Sequence, residues 1–170
     1  LGPQAFFGIG AYTSVLLFIN YGFSPWIGMW VGGVIAILLM LAIGFVCFRL
    51  RGPFFAIATL AIAEAIRITF IGWRDVTRGS VGIPLPIPPK SSFVDFLFLE
   101  VEWYYYIIFV LMLFSVLVAY FVKNGRIGYA CFAIKDDEDT AMSLGVNTLK
   151  YKMLTSVISA FILAILGTFY

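Results

Sequence analysis

Two charged residues lie inside an otherwise apolar stretch of the chain. Glu64 and Arg67 occur in the segment PFFAIATLAIAEAIRITFIGW, which covers residues 53–73. Residues three apart on a helix share a face, so the two side chains can form an ion pair. A charge at the centre of a bilayer costs at least about 2.5–3.5 kcal/mol on insertion scales, and it usually faces a bundle interior or a water-filled cavity. The pair predicts either part of a transport route or a structural ion pair, and the sequence leaves both open.

A second candidate for the route lies near the beginning of the chain. Gln4 precedes the run FFGIGAYT, which contains Gly8 and Gly10. Each glycine costs a helix about 1 kcal/mol relative to alanine. An interrupted helix exposes backbone groups, and many transporters bind polar solutes with such groups. The alternative is close packing of neighbouring helices around the two glycines.

The densest charge of the chain is the acidic run at positions 136–139 in CFAIKDDEDTAMSLG. Asp136 is suited to be the N-cap of a helix and Asp139 to occupy the third helical position, as in a capping box. Gly145 is suited to end that helix. The pattern predicts a short helix over residues 137–144, with Ala141 and Leu144 available for contact. It favours a docking element for a soluble partner about as strongly as a solvated loop whose acids balance nearby lysines and arginines.

Several kinds of chemistry are excluded by what the chain lacks. It contains no histidine, and its two cysteines, Cys47 and Cys131, are too far apart for a zinc motif. It has no GxxxxGK[ST] phosphate-binding loop. We therefore expect no metal site, no cofactor and no catalytic site, and any ATP hydrolysis would take place in a partner subunit.

The elements that must position these residues are membrane-spanning helices. The chain is 62% hydrophobic and only 12% charged, which is typical of membrane proteins. A bilayer crossing needs about 20 predominantly apolar residues. The sequence predicts an all-α fold, a polytopic transmembrane helix bundle of about five spans within one domain, residues 1–170. The predicted spans cover residues 5–23, 25–48, 53–73, 103–122 and 153–170.

The charges between the spans predict an orientation. Seven basic residues flank the second span or lie between the fourth and fifth, against three between the third and fourth. Basic loops remain in the cytoplasm. Residues 123–152 would thus form a long cytoplasmic loop and residues 74–102, which include GIPLPIPP, an extracytoplasmic proline-rich loop. Because the chain begins with Leu1 and ends at Tyr170 inside an apolar run, we expect it to be part of a longer protein.

Pairs of small residues four apart predict where the helices pack. Gly28 and Gly32 form a GxxxG pattern, and Ala61 with Ala65 and Ala160 with Ala164 repeat the spacing. Such pairs let helix backbones approach closely in lipid.

Three segments, covering about half of the chain, resemble the LivM-type permease subunits of branched-chain amino acid ABC importers. They are GPQAFFGIGAYT, RLRGPFFAIATLAIAEAIRIT and GRIGYACFAIKDDEDTAMSLGVNTLKYKMLTSVISAF. Bacterial importer permeases carry an E-A-A-x-x-x-G loop that docks on the ATPase. Asp139, Thr140 and Ala141 followed by Gly145 keep its spacing, although the first two residues differ. The resemblance implies an ATPase-coupling loop that includes Arg126, Asp136, Asp137, Asp139, Ala141, Leu144 and Gly145.

The resemblance also implies a function and its partners. The chain would belong to a multi-pass permease of the bacterial inner membrane that carries leucine, isoleucine or valine by alternating access. Its partners would be a second permease of the LivH type, cytoplasmic ABC ATPase subunits and an extracytoplasmic amino-acid-binding protein, with no nucleic acid. The alternatives are an ABC permease for urea, amides or other amino acids, and an ATP-independent secondary transporter. The route residues would be Gln4, Gly8, Gly10, Glu64 and Arg67.

Overall fold

The computed structural model describes residues 2–50, 53–73 and 101–169, and nearly all of these are helical. No strand occurs among these residues, so the predicted all-α bundle is confirmed. The described helices are Gly2–Tyr21 (α1), Pro25–Cys47 (α2), Pro53–Gly72 (α3), Val101–Asn124 (α4), Arg126–Asp136 (α5), Glu138–Ser143 (α6) and Thr148–Gly167 (α7).

The core of the described part is formed by α1, α2 and α7, which all pack against one another. Three of its five buried side chains are alanines, which lets the helices approach closely: Phe6, Ile9, Ala36, Ala160 and Ala164. Since lipid is as apolar as these side chains, close van der Waals packing must supply much of the association. The last helix in the sequence therefore completes an interface begun by the first two.

Backbone contact at glycines makes this close approach possible. A Cβ atom on Gly10 of α1 would lie 2.6 Å from the carbonyl carbon of Ala164 in α7 and closer still to its oxygen. On Gly28 of α2 it would lie 2.8 Å from the Cα of Ser14 in α1. The predicted pairs on α2 and α7 thus lie at helix interfaces. Ala61 and Ala65 on α3 do not, because both are exposed.

The described residues support fewer membrane spans than the sequence predicted. Three helices are long and apolar enough to cross a membrane, Pro25–Cys47, Glu102–Asn124 and Thr148–Gly167, so the predicted number of about five is corrected to about three. The remaining predicted spans correspond to α1 and α3, helices of 20 residues each. Polar side chains interrupt the apolar surface of both, with Gln4 and Asn20 in α1 and the charged pair in α3.

Of the two interpretations that the sequence left open for α1, an interrupted helix does not occur, because the helix runs continuously from Gly2 to Tyr21. Its two glycines have different surroundings. Gly10 is packed against α7, whereas a Cβ on Gly8 would meet nothing within 4 Å. Close packing, the alternative interpretation, explains Gly10 but not Gly8.

Two helices lie at the edge of this core. The α3 helix packs mainly on α1, where the rings of Tyr12 and Phe70 stack with centroids 5.1 Å apart. The α4 helix contacts chiefly α5 and, to a smaller extent, α7, and none of its apolar span is buried among the described residues. Both helices consequently present broad apolar surfaces.

The predicted loop over residues 123–152 is largely helical. It contains α5, which the sequence analysis did not predict, as well as α6. In addition, α7 begins at Thr148 rather than at Met153, because the side chain of Asn147 accepts a hydrogen bond of 3.0 Å from the backbone N–H of Lys150 and so caps the helix. Of the predicted proline-rich loop, residues 74–100 lie outside the described residues, and its last two positions belong to α4.

Candidate functional site

The acidic run folds into α6, but its first residue is shifted by one from the prediction. Asp137, not Asp136, is the N-cap: its Oδ1 accepts hydrogen bonds from the backbone N–H of Asp139 at 2.9 Å and of Thr140 at 3.2 Å. The hydroxyl of Thr140 donates to Oδ2 at 2.7 Å. Asp136 is the last residue of α5. Because Thr140 supplies two of the three donors, it determines which acid caps the helix.

These hydrogen bonds stabilise the ionised form of the cap. The hydroxyl and then the backbone N–H of Thr140 lower the pKa of Asp137, desolvation opposes them, and the N–H of Asp139 adds to the lowering. Asp137 is therefore charged at neutral pH, where it also complements the positive end of the helix dipole.

Gly145 ends α6 as predicted. Its φ is +86°, in the left-handed region. Glycine adopts this region freely, whereas L-residues adopt it at a cost. Its N–H donates to the Met142 carbonyl at 3.0 Å, and the N–H of Val146 donates to the Ala141 carbonyl at 3.0 Å. This pair of hydrogen bonds is the Schellman arrangement. A helix of six residues thus has both ends capped.

Two contacts hold α6 in place. Ala141 is 2% exposed, so its methyl group is buried beneath the helix. Glu138 Oε2 forms an ion pair of 2.6 Å with Lys152 Nζ on α7, and both side chains are about 70% buried, with exposed fractions of 30% and 28%. Because Lys152 lies in the second turn of α7, this ion pair joins α6 directly to a helix of the core.

The opposite side of α6 faces outward. Leu144 is 79% exposed and Met142 is 45% exposed, and Asp136, Asp137 and Asp139 are exposed around them. An apolar tip surrounded by carboxylates is suited to a partner with an apolar pocket and a basic rim. Arg126 is exposed but lies at the first residue of α5, an 11-residue helix away from the acids, so it is not part of this tip.

The charged pair on α3 forms as predicted. Arg67 Nε donates to Glu64 Oε2 at 2.9 Å, and an Arg67 Nη atom donates to Oε1 at 2.5 Å. Both side chains are more than half exposed, 62% for Arg67 and 53% for Glu64. The pair is thus closed on itself but accessible.

A cavity of about 470 Å³ between α1 and α3 brings this pair together with other predicted route residues. Gln4, Gly8, Glu64 and Arg67 all line it, and the ring of Tyr12 forms part of its wall. The absence of a side chain at Gly8 leaves room for this cavity. Gly10, the fifth predicted residue, faces α7 instead and does not line it.

A second cavity, of about 340 Å³, adjoins the first and shares Ala5, Ala63 and Ile66 with it. Its walls come from α1, α2, α3 and α7 and are mostly apolar, with hydroxyl groups from Thr59, Thr155, Ser156 and Ser159. The sequence analysis missed these residues. Their common signal is a set of hydroxyls within apolar helices, which is frequent in membrane helices and identifies no site without the packing.

The family model for the permease component of branched-chain amino acid transport systems matches residues 1–170. The chain belongs to this permease family. Together with the apolar helices, membership establishes an integral membrane protein of a transport-system permease family.

Two curated relatives are similar to this permease chain over its whole length. The high-affinity branched-chain amino acid transport system permease protein LivM of Escherichia coli (strain K12) is 29% identical, and that of Salmonella typhimurium (strain LT2) is 28% identical. The alignment covers all of this chain but 45% of each relative, so the chain spans less than half of their length. No solved structure matches the chain.

Proposed function

We propose that this permease chain forms part of the membrane subunit of an ATP-driven importer for branched-chain amino acids in the bacterial inner membrane. The observation that carries the proposal is α6, a doubly capped helix with an exposed apolar tip that is joined to the core by an ion pair. The family match and the two LivM relatives support the substrate class.

In this proposal α6 is the docking element for a cytoplasmic ATPase subunit. Leu144 and Met142 would enter an apolar pocket of the partner, and the surrounding carboxylates would pair with basic side chains on its rim. Movement of the ATPase on nucleotide binding would displace α6. Through Glu138 and Lys152 the displacement would reach α7 and, through its packing with α1 and α2, the bundle.

The solute would pass along the α1–α3 surface. Arg67 offers a cation for the carboxylate of an amino acid and Glu64 an anion for its ammonium group, so opening the pair provides both partners of a zwitterion. The adjoining apolar cavity suits an aliphatic side chain.

A second permease subunit would cover the exposed face of α3, and an extracytoplasmic binding protein would deliver the solute. Alternating access would follow from the movement of α7.

The test is a crosslink from the tip of α6. Leu144→Cys is introduced into the full-length permease with Cys47→Ala and Cys131→Ser, and the protein is expressed with its ATPase subunits. We expect a crosslink to an ATPase subunit whose yield changes with nucleotide. Tyr105→Cys, at the far end of α4 and 65% exposed, is the control that should give no such product. A transport-competent complex without the Leu144→Cys crosslink would contradict the proposal and favour an ATP-independent carrier.

A further inference from the structure

A groove of about 360 Å³ lies where α4, α5 and α7 meet, and it shares Thr155 and Ser159 with the apolar cavity described above. Its walls are apolar along most of their length, with Val118 and Val122 from α4, Phe132 from α5, and Ile158 and Ile162 from α7. The hydrogen bond between Cys131 and Thr155, at 3.3 Å, crosses from α5 to α7 within this lining. The groove is mostly apolar and open to one side of the bundle.

Two lysines line the same groove. Lys123 lies in the last turn of α4 and Lys135 in the last turn of α5. Neither forms an ion pair with an acidic side chain among the residues that the structure describes. The one carboxylate next to them in sequence, Asp136, is exposed and does not line the groove. The lining thus combines two cationic groups with an apolar wall.

The position of the lysines relates the groove to the membrane. Lys123 is the penultimate residue of the apolar span Glu102–Asn124, so it lies where that span meets the aqueous phase. Basic residues at this depth attract anionic lipids, and basic pockets between spanning helices bind their headgroups. Aliphatic stems of lysine also pack along apolar surface while the ammonium groups reach the interface.

We propose that this groove binds one anionic phospholipid. Its phosphate pairs with Lys123 and Lys135, and one acyl chain lies along the apolar wall formed by α4 and α7. Charge complementarity selects an anionic headgroup, and the apolar wall selects a lipid over free phosphate. Because α4 has little direct packing on α7, the acyl chain fills the space between them and holds α4 to the bundle. This inference does not depend on the identity of the transported solute.

The test measures lipid retention by the full-length permease. The protein is purified in a mild detergent and titrated with phosphatidylglycerol, and bound lipid is counted by native mass spectrometry. A basic residue near the membrane surface contributes about five-fold in affinity for anionic lipid, so K123Q together with K135Q should weaken binding of the tightest phosphatidylglycerol by roughly 30-fold. Ala119→Trp, which places an indole in the groove, should abolish that tight site while leaving both lysines in place.

Matched controls separate this site from general attraction to a basic surface. Arg49→Gln with Arg126→Gln removes the same charge outside the groove and should leave the tight site intact. Phosphatidylcholine should not compete, and excess inorganic phosphate should not displace the lipid. Equal retention by the double-lysine variant, or equal binding of phosphatidylcholine, would overturn the proposal. So would a tight site unaffected by Ala119→Trp, since the lipid would then bind outside the groove.

Discussion

A single carboxylate determines where α6 begins. The sequence predicted a capped helix in the acidic run, and this is confirmed, but all four consecutive acids of the run are favourable near a helix N-terminus. What selects Asp137 is the hydroxyl of Thr140, which donates to its carboxylate at 2.7 Å. That contact depends on side-chain geometry, which the order of residue types does not specify.

The lowered pKa of Asp137 predicts how α6 responds to acid. A carboxyl group whose pKa is lower in the folded than in the unfolded state adds stability above the unfolded pKa and loses it as the pH falls through the folded value. We therefore expect hydrogen-exchange protection of α6, corrected for intrinsic rates, to be constant near neutral pH and to fall below the ordinary pKa range of aspartate. Asp137→Asn keeps a good cap without the titration. If it showed the same acid-dependent loss, Asp137 would not be the group responsible.

Gly145 gives a second prediction at this scale. Nothing lies within 4 Å of the position of its missing Cβ, so a substitution is opposed by the backbone conformation alone. A left-handed conformation costs an L-residue roughly 1–2 kcal/mol, and asparagine tolerates it best. Gly145→Val should therefore reduce ATPase-dependent uptake several-fold, and Gly145→Asn should reduce it much less. Equal uptake by both variants would show that the end of α6 has no part in coupling.

At the scale of helices, the contacts of α1 depend on which of its glycines is substituted. A Cβ on Gly10 would collide with the backbone of α7, whereas one on Gly8 would meet open space. Overpacking of this kind costs about 1–3 kcal/mol, and alanine at an open helical site gains up to about 1 kcal/mol over glycine. Gly10→Ala should lower the thermal stability of the purified protein, and Gly8→Ala should leave it unchanged or raise it. The same change in both variants would be inconsistent with this packing.

The ion pair between α6 and α7 is testable by exchanging its charges. Glu138→Lys alone and Lys152→Glu alone each place like charges in contact, and we expect looser attachment of α6, by about 1 kcal/mol, with lower uptake. The double variant Glu138→Lys, Lys152→Glu restores the attraction and should recover most of both. Protease or exchange protection of α6 measures the attachment, and radiolabelled uptake measures the consequence. Without recovery in the double variant, the two residues would be acting independently.

Long apolar helices were the elements that the sequence predicted best, because about 20 apolar residues in succession have few other folds available. The α5 helix was missed because its 11 residues are too few for a clear helical periodicity and because a glycine, Gly128, lies in its first turn. The sequence left open whether the glycines of α1 interrupt the helix or allow close packing, because helix propensity cannot distinguish a glycine that weakens a helix from one that lets a neighbour approach. The ion pair of Glu138 was also missed, as its partner follows fourteen positions later.

For the whole molecule, the most informative residues are Glu64 and Arg67, since a route and a structural brace respond differently to substitution. If Arg67 binds the carboxylate of the solute and Glu64 its ammonium group, exchanging them as Glu64→Arg, Arg67→Glu displaces both binding groups. We then expect uptake to fall at least ten-fold, with assembly and ATPase activity retained. A purely structural pair should tolerate the exchange. Unchanged uptake by the exchanged variant would therefore argue against a role of this pair in binding the solute.

The arrangement of the cavities is the part of the site that the sequence could not supply. The sequence predicted four of the residues that line the α1–α3 cavity. Three of them, Gln4, Glu64 and Arg67, have charged or amide side chains, which are conspicuous among apolar ones. The apolar cavity beside it combines four helices, and its lining is indistinguishable in type from any buried surface. These residues come together only because α7 packs against α1 and α2.

The packing of α7 against α1 and α2 also sets an order of events during synthesis. About 100 residues lie between Cys47, which ends α2, and Thr148, which begins α7. At about 5–20 residues per second, the ribosome needs about 5–20 s to make them. Throughout that interval the surface of α1 and α2 that later packs on α7 remains uncovered. It is accessible to lipid or to a membrane chaperone. Nascent chains arrested before Thr148 should accordingly be the ones that membrane proteases remove.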